Sequence, residues 1–142
     1  MVGLVVATHG RLGEELLATA AAVCGPLARA RAVSISSSQA MDQARGLLGE
    51  AIREAEEGDG VLVLTDMLGG TPANLALTFL DEARVEVVTG VNLPMLLKLS
   101  TLRAEGAGLQ AVVELLPAYG QKNITLASQL LRSRSPSRPP AT

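Results

Sequence analysis

Apolar positions alternate between two textures along the chain. Short, nearly unbroken runs rich in Val, Leu and Ile occupy Val2 to Ala7, Arg31 to Ile35, Val61 to Leu64 and Val85 to Thr89. None shows the strict in–out alternation of a strand with one wet face. Each therefore predicts a strand buried on both faces, as parallel sheets require. Between the runs, apolar residues recur at helical spacing. Leu12, Leu16, Leu17, Ala20 and Val23 share one face. Ala40, Ala44, Leu47, Leu48, Ala51, Ile52 and Ala55 share another, leaving Asp42, Arg45, Glu50, Arg53 and Glu54 for solvent. A third helix is expected from Thr71 to Leu80 and a fourth from Pro94 to Arg103. Strand and helix alternate, which predicts an α/β fold with a mostly parallel sheet and right-handed crossovers.

The pattern weakens after Leu109. Leu109 to Tyr119 reads as a helix, with Pro117 expected to kink or break it. Asn123 to Leu131 fits either a continuing helix or a short strand through Ile124, Thr125 and Leu126. The last stretch, 132–142, is rich in Ser, Pro and Arg and is expected to be a disordered tail. The folded part is then one domain, residues 1–131 of the 142.

Composition narrows the function classes. Hydrophobic residues make up 48% of the chain, enough for a core, but aromatic residues only 1%. Tyr119 and Phe79 are the only aromatics, too few for a base-stacking platform or for sandwiching a flavin ring. The net charge of −2 includes no basic stripe for nucleic acid. Cys24 and His9 are each the single residue of their type, which leaves no conventional structural zinc site. Met1 to Ala7 lacks a basic leader and reads as a strand. No apolar run reaches the ~20 residues of a membrane span, so a cytoplasmic location is expected.

Chemistry-bearing residues gather where the predicted strands end. Ligands of doubly wound sheets bind beyond the carboxyl ends of strands, where strand order reverses. Thr8-His9-Gly10 follows the first strand, Asp66-Met67-Leu68-Gly69-Gly70-Thr71-Pro72 the third, and Gly90-Val91-Asn92-Leu93-Pro94 the fourth. An imidazole suits acceptance and release of a phosphoryl group near neutral pH. If the first and third strands are neighbours, Asp66 faces His9 and can hold one ring nitrogen as N–H, leaving the other its lone pair. Gly69 and Gly70 permit a tight turn, Thr71 can cap the next helix, and the free N–H groups of that helix start suit an anion. Each residue also has a plainer reading. A strand-end Asp is a common turn residue, Gly-Gly-Thr-Pro starts many helices, and Asn92 is sufficiently explained as a helix cap. Arg11 reads as a solvated helix residue and Cys24 as packing.

Val6-Ala7-Thr8-His9-Gly10, Asp66-Met67-Leu68-Gly69-Gly70-Thr71-Pro72-Ala73-Asn74 and Gly90-Val91-Asn92-Leu93-Pro94-Met95-Leu96 together resemble the mannose-type enzyme IIA family of the phosphoenolpyruvate:sugar phosphotransferase system. The resemblance runs from about Val2 to Leu131. It implies a doubly wound sheet of strand order 2-1-3-4 with helices on both faces. It also implies a homodimer, with a further antiparallel strand, the Ile124 region, as the candidate for exchange between subunits. On this resemblance His9 is the phosphoryl acceptor and Asp66 orients its ring. Gly69, Gly70 and Thr71 bind the phosphoryl group, and Asn92 is a secondary candidate. The activity implied is protein-histidine phosphotransfer, from the phosphocarrier HPr to a separate IIB component, with no metal and no organic cofactor at this step. Association with membrane IIC and IID components stays open. So does a free-standing regulatory role, in which the phosphorylation state of His9 controls a partner without sugar transport. Leu68 departs from the aromatic residue common at its position, which puts the docking surface in question. The sugar is not legible.

Overall fold

The computed structural model describes residues 1–80, 82 and 84–133. Ten elements follow in order: β1 (Gly3–His9), α1 (Leu12–Cys24), β2 (Ala30–Ile35), α2 (Met41–Ala55), β3 (Val61–Thr65), α3 (Thr71–Leu77), β4 (Val85–Thr89), α4 (Leu93–Ala104), α5 (Leu109–Lys122) and α6 (Ala127–Ser133). The strands form one parallel sheet of order β2-β1-β3-β4. The expected fold class and strand order are both present.

Burial explains the continuous apolar runs. Val5, Ala7, Val61 and Val63 face α2 and α3, packing with Ala44, Leu48, Ile52, Leu75 and Phe79. Leu4, Val6, Leu62 and Leu64 face the other layer and pack with Leu96, Leu99, Val112 and Leu116. The central strands β1 and β3 are therefore lined with aliphatic groups on both faces, a burial worth roughly 1.5–3 kcal/mol per large side chain. The layers also follow from chain direction. The chain steps one way from β1 to β2 and the opposite way from β2 across to β3 and on to β4. One handedness of crossover then puts α1 on one face and α2 and α3 on the other. Beyond the carboxyl ends of β1 and β3 the chain leaves in opposite directions, which opens a crevice there.

Several expected boundaries shift for physical reasons. β1 runs on to His9, which pairs with Ile35 of β2. α3 stops at Leu77, because the Thr78 hydroxyl donates to the Leu75 carbonyl at 2.6 Å and the next amides bond three residues back. α5 passes through Pro117 unbroken. Pro117 is on the exposed side of the helix, where water can reach the carbonyl that lost its partner. Ile124 to Leu126 is neither helix nor strand, and Ala127 onward is helical. Arg132 and Ser133 close α6, so they are not the beginning of the expected tail. Residues 134–142 lie outside the described residues. Among the described residues, no helix is long and apolar enough to cross a membrane.

Thr65 ends β3 fully buried, and its hydroxyl has no hydrogen-bond partner among the described residues. A buried, unsatisfied hydroxyl costs about 1–3 kcal/mol. The isosteric change Thr65→Val is therefore expected to stabilise the domain by about 1 kcal/mol. Urea unfolding should show a higher midpoint at an unchanged slope; a lower midpoint would mean that the hydroxyl is satisfied.

Candidate functional site

The register of the sheet sets the site. Ala7 pairs with Thr65, so the residues that follow, His9 and Asp66, emerge side by side at the crevice. The Asp66 carboxylate accepts three hydrogen bonds. Oδ2 takes the His9 ring at Nδ1, 2.8 Å away, and the His9 backbone N–H at 3.1 Å. Oδ1 takes the backbone N–H of Met67 at 3.0 Å. A carboxylate only accepts, so Nδ1 carries a proton, and in the neutral ring Nε2 then keeps its lone pair. The Asp66 side chain is 14% exposed and that of His9 49%. Burial alone would raise the Asp66 pKa. The hydrogen bonds from the His9 ring and backbone outweigh it and hold the carboxyl below its ordinary range.

The Gly-Gly-Thr-Pro turn meets the ring, though not in the expected manner. Gly69 has φ +89°, the left-handed region that favours glycine. Gly70 does not: at φ −88° and ψ 169° its backbone suits any residue, and it occupies the N-cap of α3. Its reason for being glycine is proximity. A Cβ there would lie 2.5 Å from His9 Cε1 and 3.0 Å from Nε2. Thr71 is not the cap; it is the first residue of α3, followed by Pro72, and no side chain caps this helix. The bare helix start and the open ring nitrogen therefore adjoin.

Asn92 is committed elsewhere. Its Oδ1 accepts the Met95 N–H at 3.1 Å as the N-cap of α4, and its Nδ2 donates to the Gly120 carbonyl at 3.1 Å. Among the described residues neither His9 nor Asp66 is its partner. The sequence had already offered the cap as a sufficient explanation. Arg11 stays on its own helix, with Glu14 at 3.1 Å and Glu15 at 3.5 Å. Met67 and Leu68, the latter 69% exposed, leave two apolar side chains open to solvent in the loop between Asp66 and Gly70. Among the described residues no three His, Cys, Asp or Glu side chains gather as a metal-binding group. Residue-type reasoning passed over Thr8, which is fully buried, its Oγ1 accepting the Gly13 N–H at 2.7 Å. The available signal was a hydroxyl residue just before His9, with a glycine five positions on.

The fold and the site together define a doubly wound α/β domain that presents a carboxylate-held histidine at its switch point. Comparison makes the class specific. Residues 3–116 match the family described as PTS system fructose IIA component, EIIA-man, and the chain belongs to it. It is 28% identical to the PTS system fructose-specific EIIA component of Bacillus subtilis over 92% of this chain and 90% of that one. It is 27% identical to the PTS system mannose-specific EIIAB component of Escherichia coli K12, covering 87% of this chain and 38% of that longer protein. Among solved structures, the mannose/sorbose specific IIA subunit of Enterococcus faecalis superposes with a TM-score of 0.78 at 30% identity, covering 88% of this chain and 93% of that one. The chain is thus a phosphotransferase-system component of the IIA type.

Proposed function

We propose that this protein is a phosphohistidine carrier. His9 Nε2 takes a phosphoryl group from the phosphohistidine of HPr and passes it to a IIB component of a sugar-transporting system. The observation that carries the reading is the bond between Asp66 and Nδ1, with Nε2 left open beside Gly70. In the transfer the Nε2 lone pair attacks phosphorus, the donor's N–P bond breaks, and the donor imidazole leaves with the bonding pair. The proton on Nδ1 stays shared with Asp66, which offsets the positive charge that builds on the ring. Gly69, Gly70 and Thr71 turn the unpaired amides of the α3 start toward the incoming phosphoryl oxygens. The reaction is set in the cytoplasm, without metal or organic cofactor, and IIC and IID components would be met only through the IIB partner.

Asp66→Asn tests the reading. The amide can hydrogen-bond but offers no charge, and it stabilises the wrong tautomer when its NH2 faces Nδ1. Transfer measured by rapid quench should slow on the order of a hundredfold. An unchanged rate in a folded variant would remove Asp66 from the mechanism. The same variant has a pH signature. A carboxyl held below its ordinary range contributes stability that is fully present above that range and lost as pH falls through the depressed value. Wild type should therefore lose more stability than Asp66→Asn on acidification below pH ~4, read by melts across pH.

We also propose that the working form is a homodimer. The β2 edge is overlaid by side chains from both flanking helices, Arg31 with Glu54 at 3.1 Å and Ser34 with Glu14 at 2.9 Å. The β4 edge carries Val85, Val87 and Val88, and among the described residues no strand lies outside it. Ile124, 75% exposed, and Leu126 stand in a segment without regular structure. Such a segment can add to the β4 edge of a second copy. Sedimentation should show a dimer, and Ile124→Glu with Leu126→Glu should yield monomers; a monomeric wild type ends this proposal.

A further inference from the structure

Thr8 and His9 are neighbours on β1 that point to opposite faces. His9 is on the side of α3, and Thr8 is on the side of α1. The α1 N-cap, Arg11, makes no side-chain cap bond. The bond normally supplied by an N-cap comes instead from the strand, through Thr8 Oγ1 accepting the Gly13 N–H. The helix start sits so close that a Cβ on Gly13 would meet the Val6 carbonyl at 2.9 Å and Thr8 Oγ1 at 3.2 Å. On the far side of the reactive residue, the Gly10 N–H donates to the Ile35 carbonyl at 3.1 Å. His9 is thus held between two anchored neighbours, and its ring lies between Asp66 and Gly70.

We propose that Thr8 is a positioning residue for phosphoryl transfer. Its buried hydroxyl fixes the turn from β1 to α1 and so keeps the imidazole in register with Asp66 and the α3 start. The inference rests on the carrier reading of His9, and it deepens that reading by naming what holds the nucleophile still. Without the hydroxyl, the Gly13 N–H is left buried and unpaired. The helix start must then move outward to reach water, drawing His9 with it.

The chain has a single histidine, so isotopic labelling of that residue gives one imidazole signal set. In wild type at alkaline pH, nitrogen NMR should show the Nδ1–H tautomer dominating. In Thr8→Val that dominance should fall, and the maximal transfer rate from HPr should drop about tenfold, since a small misplacement is enough to cost that much. The donor concentration giving half-maximal rate should not move, and Thr8→Ser, which keeps the oxygen, should restore both readouts. A Thr8→Val protein that melts lower but keeps tautomer and rate would overturn the proposal, leaving the hydroxyl a structural tie. If Thr8→Val does not fold, Gly13→Ala takes its place, since its Cβ pushes the helix start away while both bonding groups remain. It should shift the tautomer in the same direction, and an unshifted tautomer overturns the proposal. If wild type accepts no phosphate at all, the carrier reading fails separately and the tautomer comparison still decides the role of Thr8.

Discussion

His9→Ala is expected to carry no acid-labile phosphate after incubation with phosphoenolpyruvate, enzyme I and HPr. The loss should be complete, because the chain has no second imidazole to take the group at reduced efficiency. Stability should change little by comparison. The ring is about half exposed, and its removal frees one Asp66 oxygen that still accepts the His9 backbone N–H. A folding cost of about 1 kcal/mol is expected from the single lost side-chain bond. Retained labelling in His9→Ala, at the wild-type level, would place the phosphoryl group elsewhere and sink the carrier reading.

Gly70→Val should be nearly as damaging, and through the ring itself. The backbone at Gly70 accepts a β-branched residue without strain, since its φ is negative. The new Cβ, however, falls 2.5 Å from His9 Cε1, well inside any carbon–carbon contact. Either the imidazole swings off Asp66 or the Gly69–Gly70 turn lifts away from it. In both cases Nε2 loses its place beside the α3 start, and transfer should fall by ~100-fold or more. Overpacking of this kind costs about 1–3 kcal/mol, so a domain with ~5–15 kcal/mol of stability should remain folded. Melting curves and the equilibrium level of phospho-His9 would be read together. A normal melt with wild-type phosphorylation would mean that Gly70 does not constrain the ring.

The contrast between Gly70 and its neighbours shows what a sequence can carry. Strand order followed from resemblance, and burial on both faces was legible in the Val-Leu-Val-Leu run of β3, because parallel strands have no wet side. The pairing of His9 with Asp66 was legible once β1 and β3 were neighbours. The identity of the cap was not. Thr71 looked like an N-cap by residue type, yet the chain begins the helix at Thr71 and leaves the cap to Gly70. Cap position depends on where a loop lets the first turn close, and residue type alone does not carry that. Thr8 stayed hidden for a related reason. Its hydroxyl bonds across a five-residue gap, and only the packing of α1 onto β1 creates that contact. The end of α3 and the passage of α5 through Pro117 likewise turned on local competition and solvent access, which periodicity does not encode.

One oxygen of Asp66 grips both the ring and the main chain of His9, and it does so from the residue that follows β3, the strand directly paired to the one that carries the ring. The His9 ring is thus tied to two paired strands of the sheet and not to a side loop. On the proposed carrier reading, a phosphoryl group at Nε2 would sit at the end of that pair, and a partner that reads the state of His9 is expected to do so by touching that nitrogen directly.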